Sequence, residues 1–111
     1  TMIRTGRYNR NTSIHATHPV IRTHPETRRK VVYVNRLMTE EIIGLPETES
    51  DAVLRDLFGL AERQELIYEH VWHTGDLLIW DNRCVQHART DFPAEQVRLL
   101  KRVGIGGDKP F

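Results

Sequence analysis

The sequence predicts a mainly β protein with one covering α-helix, and two observations support this fold class. Between residues 66 and 105, short segments rich in β-branched and aromatic residues alternate with turn residues. One segment, residues 50–61, instead carries apolar residues at helical spacing. Short strands and turns at this density favour an antiparallel sandwich or jelly roll over a parallel α/β sheet, in which strands alternate with helices.

The strands are predicted from local composition. Residues 30–35, with the sequence KVVYVN, form the clearest strand of the first half, because β-branched and aromatic side chains favour a pleated surface. Residues 73–76, with the sequence HTGD, predict a tight turn in the second half. Four further strands are predicted around and after that turn, at residues 66–72, 77–81, 83–88 and 97–105.

The helix is predicted over residues 50–61, where the apolar spacing is i, i+3, i+4. Thr48 followed by Asp51 resembles a capping box at its beginning. Such a helix would cover one face of a sheet and has a scaffold role. Its apolar stripe consists of Val53, Leu54, Leu57, Phe58 and Ala61.

Length and composition limit the classes of protein. The chain has 111 residues, with 39% hydrophobic and 28% charged residues and a net charge of +1, which is ordinary for one small soluble domain or a piece of a larger one. Nothing in this balance indicates a nucleic acid or a membrane as partner. Residues 1–16 are polar and are predicted as a flexible lead-in or truncated edge, which leaves residues 17–111 as the domain.

The single cysteine, Cys84, cannot form an internal disulfide and fits the reducing cytoplasm, where we expect the protein. Because Cys84 lies in the predicted strand 83–88, it is interpreted as a small buried apolar residue rather than a nucleophile. One cysteine and scattered histidines do not supply the four ligands of a structural zinc site.

Three residues are candidates for chemistry on their position alone. Arg98 and Arg102 share one face of the predicted strand 97–105. If that face is buried, each guanidinium needs an anion from the protein or a ligand; if it is exposed, neither does. His87 lies in the preceding strand and is either a structural histidine or a metal ligand.

Several motifs together resemble a known family. WHTGD at 72–76 and WDNR at 80–83 are followed by His87, Arg98 and Arg102. In this order they resemble the C-terminal part of the taurine/dichlorophenoxyacetate dioxygenase family (TauD/TfdA). HPVIRTHPET and YVN, upstream, resemble the middle segment of the same family, and GDKP near the end continues the match.

The resemblance implies part of a double-stranded β-helix, or jelly roll, in a non-haem dioxygenase that uses Fe(II), alpha-ketoglutarate and molecular oxygen. In this family two histidines and one carboxylate hold the iron, and His87 matches one of the histidines. Arg98, eleven positions later, matches the arginine whose planar fork binds the far carboxylate of alpha-ketoglutarate. Arg102 matches a position that contacts an anionic substrate. The resemblance implies no catalytic residue apart from the metal site.

The chain departs from the family pattern because it contains no His-x-Asp, the pair that supplies the other two ligands. His24-Pro25-Glu26 fits His-x-Glu but lies in the middle segment, at a turn. The resemblance thus implies the C-terminal portion of a dioxygenase that hydroxylates a small anionic organic substrate, sulfonate- or carboxylate-like. The alternative is a catalytically inactive truncated jelly-roll module for oligomerisation or anion binding. We expect a homo-oligomer, since an open sheet edge and an uncovered apolar face favour self-association.

Overall fold

The computed structural model describes residues 2–5 and 15–111. Short strands come first along the chain, one helix follows them, and residues 67–111 carry no helix or strand. The elements are β1 (Met2–Thr5), β2 (Ala16–Pro19), β3 (Ile21–Thr23), β4 (Lys30–Val32), β5 (Thr39–Ile43), α1 (Glu47–Ala61) and a 3₁₀ turn (Gln64–Leu66).

The main sheet has the order β2-β1-β5, and both pairings are antiparallel. The backbone of Ile3 faces that of His18 on one side and that of Ile42 on the other. The register shifts between Arg4 and Thr5 on the β5 side. Strand β1 therefore lies at the centre of the sheet, within the segment that the sequence predicts as a lead-in. The division into residues 1–16 and 17–111 stays a prediction.

A second, two-stranded sheet pairs β3 with β4 in antiparallel register. The connecting turn is closed by the amide of His24, which donates to the carbonyl of Arg29 at 2.9 Å. Arg28 has a φ of 61°, in the left-handed region that few residues with a side chain adopt. The strand predicted over residues 30–35 begins at Lys30 as expected and ends earlier, at Val32.

The core lies between the strands and the helix. Its members are buried aliphatic residues, with Val32, Leu57 and Phe58 packed around them. Ile42 is the most deeply buried, at 2% exposure, and belongs to β5. The buried set is Val20, Val34, Ile42 and Leu54.

Helix α1 ends at Ala61, as predicted, and begins at Glu47, three residues before the predicted start. Pro46 precedes it. Proline suits the beginning of a helix, because a backbone N–H at this end has no acceptor within the helix and its absence costs no hydrogen bond. The prediction of a capping box at Thr48 and Asp51 is wrong, since no side chain caps this end. The apolar spacing predicts the helix only from residue 50 onward, because its first turn carries acidic residues instead of apolar ones.

One buried hydrogen bond attaches the helix to the sheet. The hydroxyl of Ser50 accepts the backbone N–H of Ile42 at 2.8 Å, and both residues are 2% exposed. Gly44 makes the connection possible, because its φ of 91° turns the chain between β5 and α1. Helix and sheet are thus joined by a polar contact as well as by the apolar core.

The second half of the chain differs from its prediction. Residues 67–111 were predicted to hold most of the strands, and the structure assigns none there. A strand requires hydrogen bonds to a neighbouring backbone, and no described segment pairs with these residues as a ladder. Their apolar side chains stay in solvent: Leu77 is 84% exposed, and Val97 and Ile105 are each 96% exposed. Two short sheets and one helix are observed, and a mainly β content is not.

The turn predicted at residues 73–76 is confirmed. The amide of Asp76 donates to the carbonyl of His73 at 3.1 Å, and Gly75 has a φ of 95°. Among the described residues, no helix is both long enough and apolar enough to cross a membrane.

Candidate functional site

His87 lies on an exposed stretch beside an aromatic ring. Its imidazole packs against the indole of Trp80, with ring centroids 4.9 Å apart at an angle of 48°. A turn between them brings the two rings together, because the carbonyl of Asp81 accepts the amides of Cys84 at 3.1 Å and Val85 at 3.0 Å. A turn therefore occupies part of the segment that the sequence predicts as the strand 83–88.

Cys84 lies in that turn and is exposed, so the interpretation of a buried apolar residue is wrong. Burial was inferred from a strand that the structure does not contain. The thiol contacts the carbonyl of Asp81 at 3.6 Å. This contact is local and places the sulfur beside Asp81.

The two predicted arginines are also exposed. The guanidinium of Arg98 lies 5.8 Å from the centroid of Phe92, and that of Arg89 lies 5.2 Å from the same ring. Arg102 forms no hydrogen bond or ion pair with the described part of the chain. The structure thus favours the solvent-exposed alternative for this face, and among residues 15–111 no hydrogen bond, ion pair or ring contact joins His87, Arg98 and Arg102.

A polar network that the sequence did not predict lies a few residues before His87. The carboxylate of Asp81 accepts hydrogen bonds from Nε2 of His24 at 3.0 Å and from Nη2 of Arg83 at 2.7 Å. The same carboxylate accepts the backbone N–H of Arg83 at 2.8 Å. Nη1 of Arg83 in turn donates to Glu26 at 2.9 Å. We call these four side chains, His24, Glu26, Asp81 and Arg83, the clamp.

The clamp joins two turns that are far apart in sequence. His24 and Asp81 are separated by 57 positions, as are Glu26 and Arg83. The hydrogen-bonded guanidinium of Arg83, and then the His24 contact, hold the pKa of the Asp81 carboxyl far below its usual range. Hydrogen bonds to Asp81 and Glu26 raise the pKa of Arg83 further above its already high ordinary value. Both shifts favour the ionised pair at neutral pH.

His24 is buried at 5% exposure, and its hydrogen bonds define the tautomer of the neutral ring. The backbone N–H of Thr27 donates to Nδ1 at 3.1 Å, so Nδ1 carries no proton. The proton of the neutral ring is then on Nε2 and points to Asp81. Both ring nitrogens of His24 are committed to hydrogen bonds.

Three residues of this region have donor atoms close enough for a metal ion. His24, Asp81 and Cys84 each offer one ligand atom, all within 4.8 Å of one another. A metal would need a free lone pair on Nε2, which carries the proton, and would replace a guanidinium that already binds Asp81. The hydrogen bonding therefore does not fit a metal ion at this cluster.

The residues fit the predicted iron site only in part. His87 makes no hydrogen bond within the described part of the chain, so its ring nitrogens are available to a metal. A facial site of two histidines and a carboxylate needs two more ligands. His24 and Glu26, the only His-x-Glu, do not supply them, because both are bonded within the clamp. Among the described residues, the group of three possible ligands that the structure brings together does not include His87.

Comparison with known proteins identifies the class. Residues 3–103 match the model of the family described as "Taurine catabolism dioxygenase TauD, TfdA family". The chain belongs to the TauD/TfdA family of alpha-ketoglutarate-dependent dioxygenases, as its motifs predicted. Members of this family use Fe(II), alpha-ketoglutarate and molecular oxygen.

Individual relatives agree with this assignment. The (S)-phenoxypropionate/alpha-ketoglutarate-dioxygenase of Sphingobium herbicidovorans is 38% identical over 81% of this chain and 31% of that protein. Pentalenolactone F synthase of Streptomyces avermitilis is 39% identical over 84% of this chain and 30% of that protein. The crystal structure of a taurine dioxygenase from Burkholderia xenovorans superposes with a TM-score of 0.60 and 31% identity, over 67% of this chain and 27% of that one. The chain thus spans less than a third of the length of these relatives.

Proposed function

We propose that this chain is the C-terminal portion of a non-haem Fe(II)/alpha-ketoglutarate-dependent dioxygenase that hydroxylates a small anionic organic substrate. The observation that carries the proposal is the spacing of His87 and Arg98, eleven positions apart, inside a family match that covers residues 3–103. The region would form part of a jelly roll in the cytoplasm. Its exposed apolar residues, such as Leu77 and Val97, support association with further protein surface, including a second copy.

Each site residue has one task in this proposal. His87 would be one iron ligand, and its exposed imidazole has the free nitrogens for it. Arg98 would bind the far carboxylate of alpha-ketoglutarate, since a planar guanidinium matches a carboxylate with two parallel hydrogen bonds. Arg102 would contact the anionic group of the substrate. When bound, iron and alpha-ketoglutarate supply the oxidising chemistry, and the protein orients the substrate and excludes water.

The substrate class follows from the charge of Arg102 and from the names of the relatives. The relatives' names include (S)-phenoxypropionate, taurine and 2,4-dichlorophenoxyacetate, which carry carboxylate or sulfonate groups. An exposed arginine without an ion pair in the described part of the chain is suited to such a group. We therefore propose a sulfonate- or carboxylate-like substrate.

The test uses a chimera that joins the upstream part of the Burkholderia xenovorans taurine dioxygenase to this chain, so that all three ligands are present. Affinity for alpha-ketoglutarate is measured anaerobically with Fe(II). We expect Arg98→Ala to weaken this affinity about 10- to 150-fold, which corresponds to about 1.5–3 kcal/mol for a hydrogen bond to a charged group. Arg89→Ala is the matched control, because Arg89 packs against the same Phe92 ring and has no assigned role. Unchanged affinity in Arg98→Ala would show that its assigned role is wrong.

A second candidate is a catalytically inactive module for oligomerisation or anion binding, which the exposed apolar side chains of residues 67–111 would serve. The chimera separates the two, because an inactive module would bind neither Fe(II) nor alpha-ketoglutarate even with the upstream ligands supplied. Analytical ultracentrifugation of the 111-residue chain tests the oligomer directly.

A further inference from the structure

The clamp is the main polar link between the two halves of the chain. Within the described residues, three pairs join residues 15–66 to residues 67–111 by hydrogen bonds: His24 with Asp81, Glu26 with Arg83, and the backbones of Thr23 and Phe111. The first two pairs belong to the clamp. Its members are therefore placed to decide how the second half sits on the first.

Asp81 contributes to this arrangement through both its side chain and its backbone carbonyl. Its side chain is fixed from three donors, the ring of His24 and the backbone and guanidinium of Arg83. Its backbone carbonyl begins the turn that accepts the amides of Cys84 and Val85. The side chain thus anchors the turn to residues 24–29, while the carbonyl sets the direction of the chain that follows.

That direction brings His87 back to Trp80, the residue directly before Asp81. We propose that Asp81 is a positioning residue for His87: by holding the turn on the His24 side of the molecule, it keeps the imidazole against Trp80 before any ligand binds. The relevance of this arrangement to iron binding rests on the proposed function of His87. The contact between His87 and Trp80 does not depend on that function.

The chemistry requires aspartate at this position. A carboxylate has two oxygens that accept hydrogen bonds and none that donates. Asparagine offers one oxygen, and its amide would direct a donor at the guanidinium of Arg83. Glutamate keeps the charge but is one methylene longer, so it can retain Arg83 only with a shifted turn. Asp81→Asn and Asp81→Glu therefore separate the charge of the clamp from its geometry.

The same cluster allows a rival inference, a metal site at His24, Asp81 and Cys84, by distance alone. The two inferences differ in the state of one atom. The clamp requires a proton on Nε2 of His24, whereas a metal site requires a free lone pair there.

The test is NMR on the 111-residue chain without iron. We expect the Nε2–H tautomer of His24 in long-range ¹H–¹⁵N spectra, and a nuclear Overhauser effect between the rings of Trp80 and His87. Asp81→Asn should abolish the effect between Trp80 and His87 and leave the His24 tautomer, which the amide of Thr27 fixes, while the amide of Ile42 in the core keeps its chemical shift. Asp81→Glu should keep Arg83 bound but weaken the ring contact. Asp91→Asn, an exposed acid of the same half with no ion pair in the described part of the chain, should change neither signal.

Two results would overturn the proposal. One is a persistent Trp80–His87 contact in Asp81→Asn, which would show that the turn does not depend on the clamp. The other is a stoichiometric shift of the His24 and Cys84 signals on addition of Zn²⁺, which would favour the metal site. Because neither readout involves iron, a failure of the proposed dioxygenase function would leave the result on positioning unchanged.

Discussion

Residues 15–61 and residues 67–111 of this chain are held in place by different forces. The first region buries a small core and closes it with the hydrogen bond between Ser50 and Ile42. The second region leaves most of its apolar side chains in solvent and is attached through the clamp. The residues proposed for chemistry, His87 and Arg98, lie in the second region.

This contrast places stability in the first region and the proposed chemistry in the second. Folding free energy in the first region comes from buried apolar surface, so it should respond to the loss of single methylene groups. The second region has little burial to lose. Changes at its exposed side chains should affect ligand binding or the position of a side chain while leaving the unfolding transition nearly unchanged.

The largest expected effect concerns the core. Ile42→Ala removes a side chain that is 2% exposed and should lower the free energy of unfolding by about 2–5 kcal/mol. Ile79→Ala makes the same kind of change at a side chain that is 82% exposed and should stay within about 0.5 kcal/mol. Urea denaturation of both variants measures the contrast. Equal losses would mean that Ile79 is covered in solution and that the two regions do not differ as described.

The next effect concerns the bond between helix and sheet. Ser50→Ala leaves the buried N–H of Ile42 without its acceptor, which should cost about 1–3 kcal/mol. Thr48→Ala is the control two residues away, because Thr48 is exposed and no side chain caps this end of α1. Chemical denaturation should place Thr48→Ala within about 0.5 kcal/mol of the parent chain. A larger loss in Thr48→Ala than in Ser50→Ala would contradict the account of this helix end.

A smaller effect depends on pH. In the folded chain, the pKa of Asp81 lies far below its ordinary value of 3.8. Near and below pH 3.8, the unfolded chain therefore binds more protons at Asp81 than the folded chain does. The contribution of Asp81 is thus fully present above about pH 5 and is lost as the pH falls toward the folded pKa. The free energy of unfolding at about pH 6 and about pH 3 should show this loss in the parent chain and less of it in Asp81→Asn. A loss of the same size in Asp81→Asn would assign it to other carboxylates.

The sequence predicted features that depend on neighbours along the chain. Helix α1 was found because Leu54, Leu57 and Phe58 recur at helical spacing, and the turn at 73–76 because Gly75 permits a positive φ. The family was found because its motifs follow one another in order. Such patterns depend on residues close in sequence or on the order of motifs along the chain, so they can be read without knowing the fold.

Features that depend on distant contacts were not predicted. Strand β1 lies in a polar segment, and its pairing with β2 and β5 is invisible to local composition. The clamp joins His24 to Asp81 across 57 positions, so neither motif on its own indicated the contact. The strands expected between 66 and 105 lack a partner in the described chain, and Cys84 was assigned to a core that depends on them.

The proposed role of His87 as an iron ligand is tested most directly by the anaerobic visible spectrum of the chimera described above. With Fe(II) and alpha-ketoglutarate bound, we predict a weak absorption band that is lost in His87→Ala and kept in His73→Ala, an exposed histidine of the same region. Circular dichroism of both variants confirms that each is folded. A band of undiminished intensity in His87→Ala would contradict the account.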